Sequence, residues 1–161
     1  MAAVPGPMPA FGLPGRIQAA NSKPRAIALV GLGEGGAAIA RDVLREDIAH
    51  LEVHVLGPSA AGRDALQAIQ AGGGELQRDL ADADMIFIVA CAGDDVALAA
   101  VVGAIAHRGR HSVTALYIVP PEYAARRGED ATLKSLRASV EMLVVVSDPG
   151  YVPAMIAALG T

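Results

Sequence analysis

The sequence predicts an α/β fold, a mostly parallel sheet covered by helices. Three observations carry that reading. Short apolar runs recur at residues 26–30, 51–56, 85–90, 113–119 and 142–146. Stretches of helical periodicity lie between most of them. A glycine turn directly follows the first run. Strands joined through helices cannot form hairpins, so the neighbouring strands run parallel through right-handed crossovers.

The first strand is residues 26–30, and a helix over 35–44 follows, with Ile39, Val43 and Leu44 on one face. Residues 51–56 are rich in branched side chains and form the second strand, stopped by Gly57-Pro58. Ser59 is placed to cap a helix over 60–71, which ends in Gly72-Gly73-Gly74. Residues 75–81 fit a short edge strand, a helix turn, or both. Residues 85–90 are apolar at every position, as a central strand covered on both faces requires. Asp94 or Asp95 then caps a helix over 96–107. Strand 113–119 is stopped by Pro120-Pro121. A short helix over 132–139, a last strand over 142–146 and a final helix over 153–159 complete the chain.

Composition bounds what this fold can be. The 161 residues suit one domain, taken as residues 25–161 behind a Pro- and Gly-rich leader over residues 1–24. That leader is expected to be flexible, with no regular element; the alternative is an arm docked on a neighbouring subunit, for which Met8, Phe11, Leu13 and Ile17 are the only anchors. Hydrophobic residues make up 53% and aromatic residues 3%, so small aliphatic side chains fill the interior and favour close helix-on-sheet packing. A net charge of −4 argues against a nucleic-acid surface. The single cysteine, Cys91, excludes an internal disulfide and a cysteine-rich zinc site. No apolar run reaches membrane-spanning length, and the N-terminus lacks a secretory pattern. The expected location is the cytoplasm.

The chemistry concentrates at the glycine turn. Gly31, Gly33 and Gly36 fit G-x-G-x-x-G after a strand and at the opening of a helix, with Glu34 and Gly35 inside the turn. Glycines let backbone approach a ligand closely, and a helix start aims free N–H groups and a positive dipole at the same point. A phosphate fits there. The alternative is that the glycines only permit tight strand–helix packing. Dinucleotide binding asks for an acid at the end of the second strand to hold ribose hydroxyls. Leu56, Gly57 and Pro58 stand there instead, which counts against NAD. Ser59 and Arg63 are candidates for a ribose phosphate, as in NADP, or for a helix cap and a solvated cation.

The stretches RAIALVGLGEGGAAIARDV and ADMIFIVACAGDDVALAAVVGAIA, followed in order by VTALYIVPP and LKSLRASVEMLVVVSD, resemble the nucleotide-binding half of the FtsZ/tubulin family. The resemblance spans residues 25–152. It implies a Rossmann-like three-layer sandwich of strand order 3-2-1-4-5-6, with GTP or GDP at the C-terminal ends of the strands. Gly31, Gly33, Gly35, Gly36 and Gly93 are the positions that match. The family's GGGTGTG loop is replaced by Cys91-Ala92-Gly93-Asp94-Asp95-Val96-Ala97-Leu98, which places two carboxylates near the phosphates. Mg²⁺ brought with a nucleotide would bridge them. The family's PF-x-FEG stretch is replaced by Pro121-Glu122-Tyr123-Ala124-Ala125. The resemblance therefore implies a module that binds GTP, GDP or another phosphate ligand without hydrolysis or filament assembly. An NADP-linked oxidoreductase and a structural protein with an empty pocket are the alternatives.

No catalytic residue and no metal ligand set is assigned. Cys91, at a strand end, reads as an inert thiol. His50, His54, His107 and His111 lack metal-ligand spacing. Arg126 and Arg127 form a small basic spot on a solvated loop. The helix over 96–107 is apolar nearly all round, which predicts an outer face covered by another chain or by the leader, and a homodimer or larger closed oligomer.

Overall fold

A computed structural model of the chain describes residues 25–58, 74–122 and 130–159. The expected leader and the helix over 60–71 lie outside the described residues. Five strands form one sheet: β1 (Ile27–Leu32), β2 (Leu51–Gly57), β3 (Met85–Cys91), β4 (Val113–Ile118) and β5 (Met142–Val146). Every pairing is parallel, and the spatial order is 2-1-3-4-5. The helices are α1 (Gly33–Arg45), α2 (Glu75–Asp82), α3 (Ala99–Arg108), α4 (Ala131–Ser139) and α5 (Tyr151–Leu159).

Among the described residues this is the expected Rossmann-like arrangement without its outermost strand. The stretch that left a strand open, residues 75–81, is helical. Leu76 and Leu80 are buried four residues apart, and their polar neighbours face outward, so a period of 3.6 rather than 2 fits the burial.

β1, β3 and β4 are buried almost throughout, because helices cover both sheet faces. Side chains at alternate positions feed two separate cores. Ala28, Val30, Ile86, Ile88, Ala115 and Tyr117 meet α2, α3 and α4 on one face. Ile27, Leu29, Phe87, Val89, Leu116 and Ile118 meet Ile39 and Val43 of α1 and Val152 and Ile156 of α5 on the other. Chain crossovers to β2 and to β4 thus leave from adjacent central strands toward opposite faces. The crevice where ligands settle in such sheets opens between the C-terminal ends of β1 and β3.

α3 differs from the expectation. It begins at Ala99 rather than at residue 96, with Leu98 at its N-cap and no side-chain cap. Its surplus apolar surface is mostly covered within the chain. Val101 is half-buried, Val102, Ile105 and Ala106 are buried, and only Ala100 and Ala104 among its apolar residues are exposed. Gly103 lets α4 pack close, since a Cβ there would lie 2.6 Å from the Ser139 carbonyl oxygen. The helix therefore gives no sign of a second chain. Among the described residues the large exposed apolar side chains are Leu44, Met142, Val145 and Tyr151.

Glu141 ties the N-terminal rim of the sheet together. One carboxylate oxygen accepts from the Val113 backbone N–H at 2.8 Å, and the other meets His107 Nε2 at the end of α3. The bond from Val113 holds the Glu141 carboxyl below its ordinary pKa, and His107 adds to that. A lowered carboxyl pKa contributes stability above the unfolded-state value and loses it as pH falls through the folded-state value. The stability difference between the natural chain and Glu141→Gln therefore shrinks as pH falls from about 6 to about 3, as urea titrations at each pH will read.

Candidate functional site

The glycine turn lies in the middle of the sheet, with β1 flanked by β2 and β3. Gly31 belongs to the strand, opposite Val55 and Val89. Gly33 has φ of 72°, a left-handed conformation that glycine adopts without strain, and it opens α1. The residue before it, Leu32, occupies the N-cap position and has no side chain able to cap. The first N–H groups of α1 therefore need an acceptor from elsewhere in the chain or from a ligand.

Asp94 supplies it. Gly35 N–H donates to Asp94 Oδ1 at 3.1 Å, and Gly36 N–H donates to Asp94 Oδ2 at 2.9 Å. The Cys91 N–H donates to the same Oδ2 at 2.7 Å. A carboxylate thus sits at the positive end of the α1 dipole and takes the donors that a phosphate would use. Either of two aspartates was expected to cap the helix next in sequence. Asp94 caps α1 instead, and Asp95 Oδ1 accepts from Ala97 N–H at 3.0 Å.

A turn after β3 aims Asp94 at the cradle. The Asp94 N–H donates to the Cys91 carbonyl at 3.0 Å, closing a four-residue turn. Gly93 takes its third position with φ of 87°, as a type II turn requires. A Cβ on Gly93 would meet nothing within 4 Å, so this glycine makes the turn and is not pressed by a neighbour. The glycines of α1 are the opposite case. A Cβ on Gly33 would lie 2.4 Å from Asp94 Cβ, and one on Gly35 would lie 2.6 Å from Cys91 Sγ. On Gly36 it would lie 2.2 Å from the Val89 carbonyl oxygen. These residues are small because strand β3 and the Asp94 loop press against them.

Of the expected binding residues, the structure brings together Gly33, Gly35, Gly36, Gly93 and Asp94. Gly31 lies beneath them in β1. Glu34 is exposed and lines a depression of about 310 Å³ with Ala37, Arg41 and residues 55–58. That depression lies beyond the end of β2, and Leu56 and Gly57 are the residues there. Ser59, Arg63, Arg126 and Arg127 lie outside the described residues.

Three residues at the same rim, and one away from it, escaped the sequence reading. Thr132 Oγ1 donates to the Asp94 backbone carbonyl at 2.8 Å. Asp130 caps α4, accepting from Leu133 N–H at 3.0 Å, and its other oxygen accepts from the Tyr117 hydroxyl. Tyr117 is fully buried on β4; burial first and the Asp130 carboxylate next push its pKa well up, so the phenol remains a donor. The aspartate at Asp130, three residues before Leu133 in an apolar helix pattern, was a readable cap signal. Nothing local linked Thr132 or Tyr117 to Asp94. The fourth, Asp79 on α2, pairs with His54 of β2 at 2.8 Å and stands apart from the cradle.

Cys91 is half-buried beside this carboxylate. Burial first, and the Asp94 charge second, push its thiol up to about 11. It is a poor nucleophile at neutral pH. Among the described residues no group of three or more His, Cys, Asp or Glu side chains is placed to hold a metal ion. No helix among the described residues is long and apolar enough to cross a membrane. No protein-family model matches the chain, and no curated protein matches it.

Two outcomes follow from this geometry. Asp94→Ala leaves the Gly35, Gly36 and Cys91 N–H groups without their acceptor and lowers stability by about 1–3 kcal/mol, measured by urea unfolding, whereas Asp94→Asn keeps an acceptor oxygen and loses less. At about pH 8 the folded chain is alkylated by iodoacetamide roughly a hundred-fold more slowly than the urea-unfolded chain, following the smaller thiolate fraction.

Proposed function

We propose that this chain is a Rossmann-like module of FtsZ-like kind whose phosphate cradle is closed by its own carboxylate. In this proposal it works through contacts with polypeptides, copies of itself among them, and not by binding or turning over a nucleotide. One observation carries the reading: Asp94 takes the N–H groups of Gly35, Gly36 and Cys91 that an anionic ligand would need. A phosphate entering beside that carboxylate meets a like charge, and one replacing it must first break three hydrogen bonds. The polar groups of the site are engaged with each other: Tyr117 with Asp130, Thr132 with the Asp94 loop. Self-association is supported by the uncharged strand β5 at the sheet edge, where Met142 is 60% and Val145 43% exposed.

A thermal-shift panel tests the proposal with GTP, GDP, ATP, NADPH and NADH, each with and without Mg²⁺. A ligand at a hundred times its Kd stabilises the folded state by about 2.7 kcal/mol, so binding is easily seen. The natural chain should give no shift with any of them. The Asp94→Ala chain should gain a shift with inorganic phosphate, because its cradle donors are then open. A saturable guanine-nucleotide shift in the natural chain would overturn the closed-cradle reading in favour of a nucleotide-binding module, and an NADPH shift would favour the oxidoreductase. Sedimentation equilibrium at micromolar protein tests the second part: an oligomer is expected, reduced to monomer by Met142→Lys with Val145→Lys.

A further inference from the structure

We propose that helix α4 is the latch that keeps Asp94 in the cradle, so that opening the cradle and releasing the first turn of α4 are one event. The inference rests on the reading of Asp94 as the cradle's resident anion and adds what controls it.

The loop carrying Asp94 is anchored at two places away from the cradle. The Ala92 N–H donates to the Ile118 carbonyl at 2.8 Å, which fixes the start of the loop to the end of β4. Thr132 Oγ1 donates to the Asp94 carbonyl at 2.8 Å, which fixes its far end to the first turn of α4. Thr132 is 7% exposed, the one buried polar or charged residue among those described, so water competes poorly for this bond. The same turn is held from the sheet. Asp130 accepts from Leu133 N–H with one oxygen and from the buried Tyr117 hydroxyl with the other. Leu133 and Leu136 then seat α4 in the core shared with α3.

A continuous path of polar contacts thus runs from Tyr117 through Asp130 and the first turn of α4 to Thr132, and on to the Asp94 backbone. It ends at the Gly35 and Gly36 N–H groups. The side chain of Asp94 reaches those groups while its backbone is held by its own turn, through the Asp94 N–H and the Cys91 carbonyl, together with the anchors at Ala92 and Thr132. The Asp94 carbonyl is bonded to Thr132 and its carboxylate to the cradle donors, so a shift of α4 that carries Thr132 away pulls on the residue that closes the cradle. Thr132 is a positioning residue here, since it touches the backbone of Asp94 and none of the cradle donors.

Amide hydrogen exchange, read residue by residue by NMR, tests this on the full chain. In the natural protein the Gly35, Gly36 and Cys91 amides should be protected. Thr132→Val keeps the shape of the side chain and removes the donor. It should speed exchange of those three amides about ten-fold or more while the Leu29 and Ile88 amides of the central strands keep their rates. Thr132→Ser should restore protection. Tyr117→Phe, acting through Asp130, should give the same pattern more weakly and serves if the valine variant folds poorly. Protection unchanged in both variants would overturn the latch and leave the Asp94 cap standing. Free exchange of Gly35 and Gly36 in the natural chain would overturn the cap itself, and the latch with it.

Discussion

A helix that opens with glycines and has no capping side chain of its own needs an acceptor at its N-terminus. In this chain the need is met by one carboxylate that lies far away in sequence. Asp94 is 58 and 59 residues from the α1 N–H groups it accepts from, and it reaches them because β1 and β3 are neighbours in the sheet. Much of the local architecture follows from that contact. Gly33 and Gly35 are small because the Asp94 loop occupies the space their side chains would fill. Gly93 is glycine because the turn that aims Asp94 needs positive φ. Cys91 holds its proton first because its sulfur is half-buried and second because the same carboxylate stands beside it.

The contact also separates two meanings of one motif. G-x-G-x-x-G after a strand describes a backbone shape, and the shape serves any acceptor with the right charge. A phosphate satisfies it from solution; a carboxylate satisfies it from within. The first option leaves the donors open when the ligand is absent. The second leaves the folded chain complete without a ligand. What distinguishes them is the loop after the neighbouring central strand. In this chain the loop carries an aspartate immediately after a turn glycine.

The sheet was legible because its strands are fixed by short-range chemistry. Residues 85–90 are apolar at every position, and that suffices for a central strand whatever the rest of the chain does. The alternation that feeds two cores follows from the strand period alone. Residues 75–81 stayed ambiguous because a short polar stretch with two leucines fits either period, and only packing under α3 and the sheet decides. The site was legible in outline. The cradle glycines and Asp94 were singled out, and their juxtaposition follows from any fold that sets β1 beside β3. The capping role of Asp94 was assigned to the wrong helix, because an aspartate before an apolar run looks local whenever the true partner is remote. Tyr117, Asp130 and Thr132 were not read at all. Their roles depend on β4 lying beside β3 and on α4 packing at that rim, which no spacing in the sequence encodes.

The glycine-rich corner is also a packing constraint. β3 packs within touching distance of α1, and the glycines leave it the room to do so. A Cβ on Gly36 would lie 2.2 Å from the Val89 carbonyl oxygen, so any larger residue must push the central strand away. The constraint comes from packing, and it persists whether or not anything binds. A carboxylate held there by three donors then makes the corner self-sufficient. It also places a negative charge where a ligand's negative charge would have to go. In such a corner the glycines report how closely helix and strand approach, and the residue that faces their N–H groups reports what the corner is for.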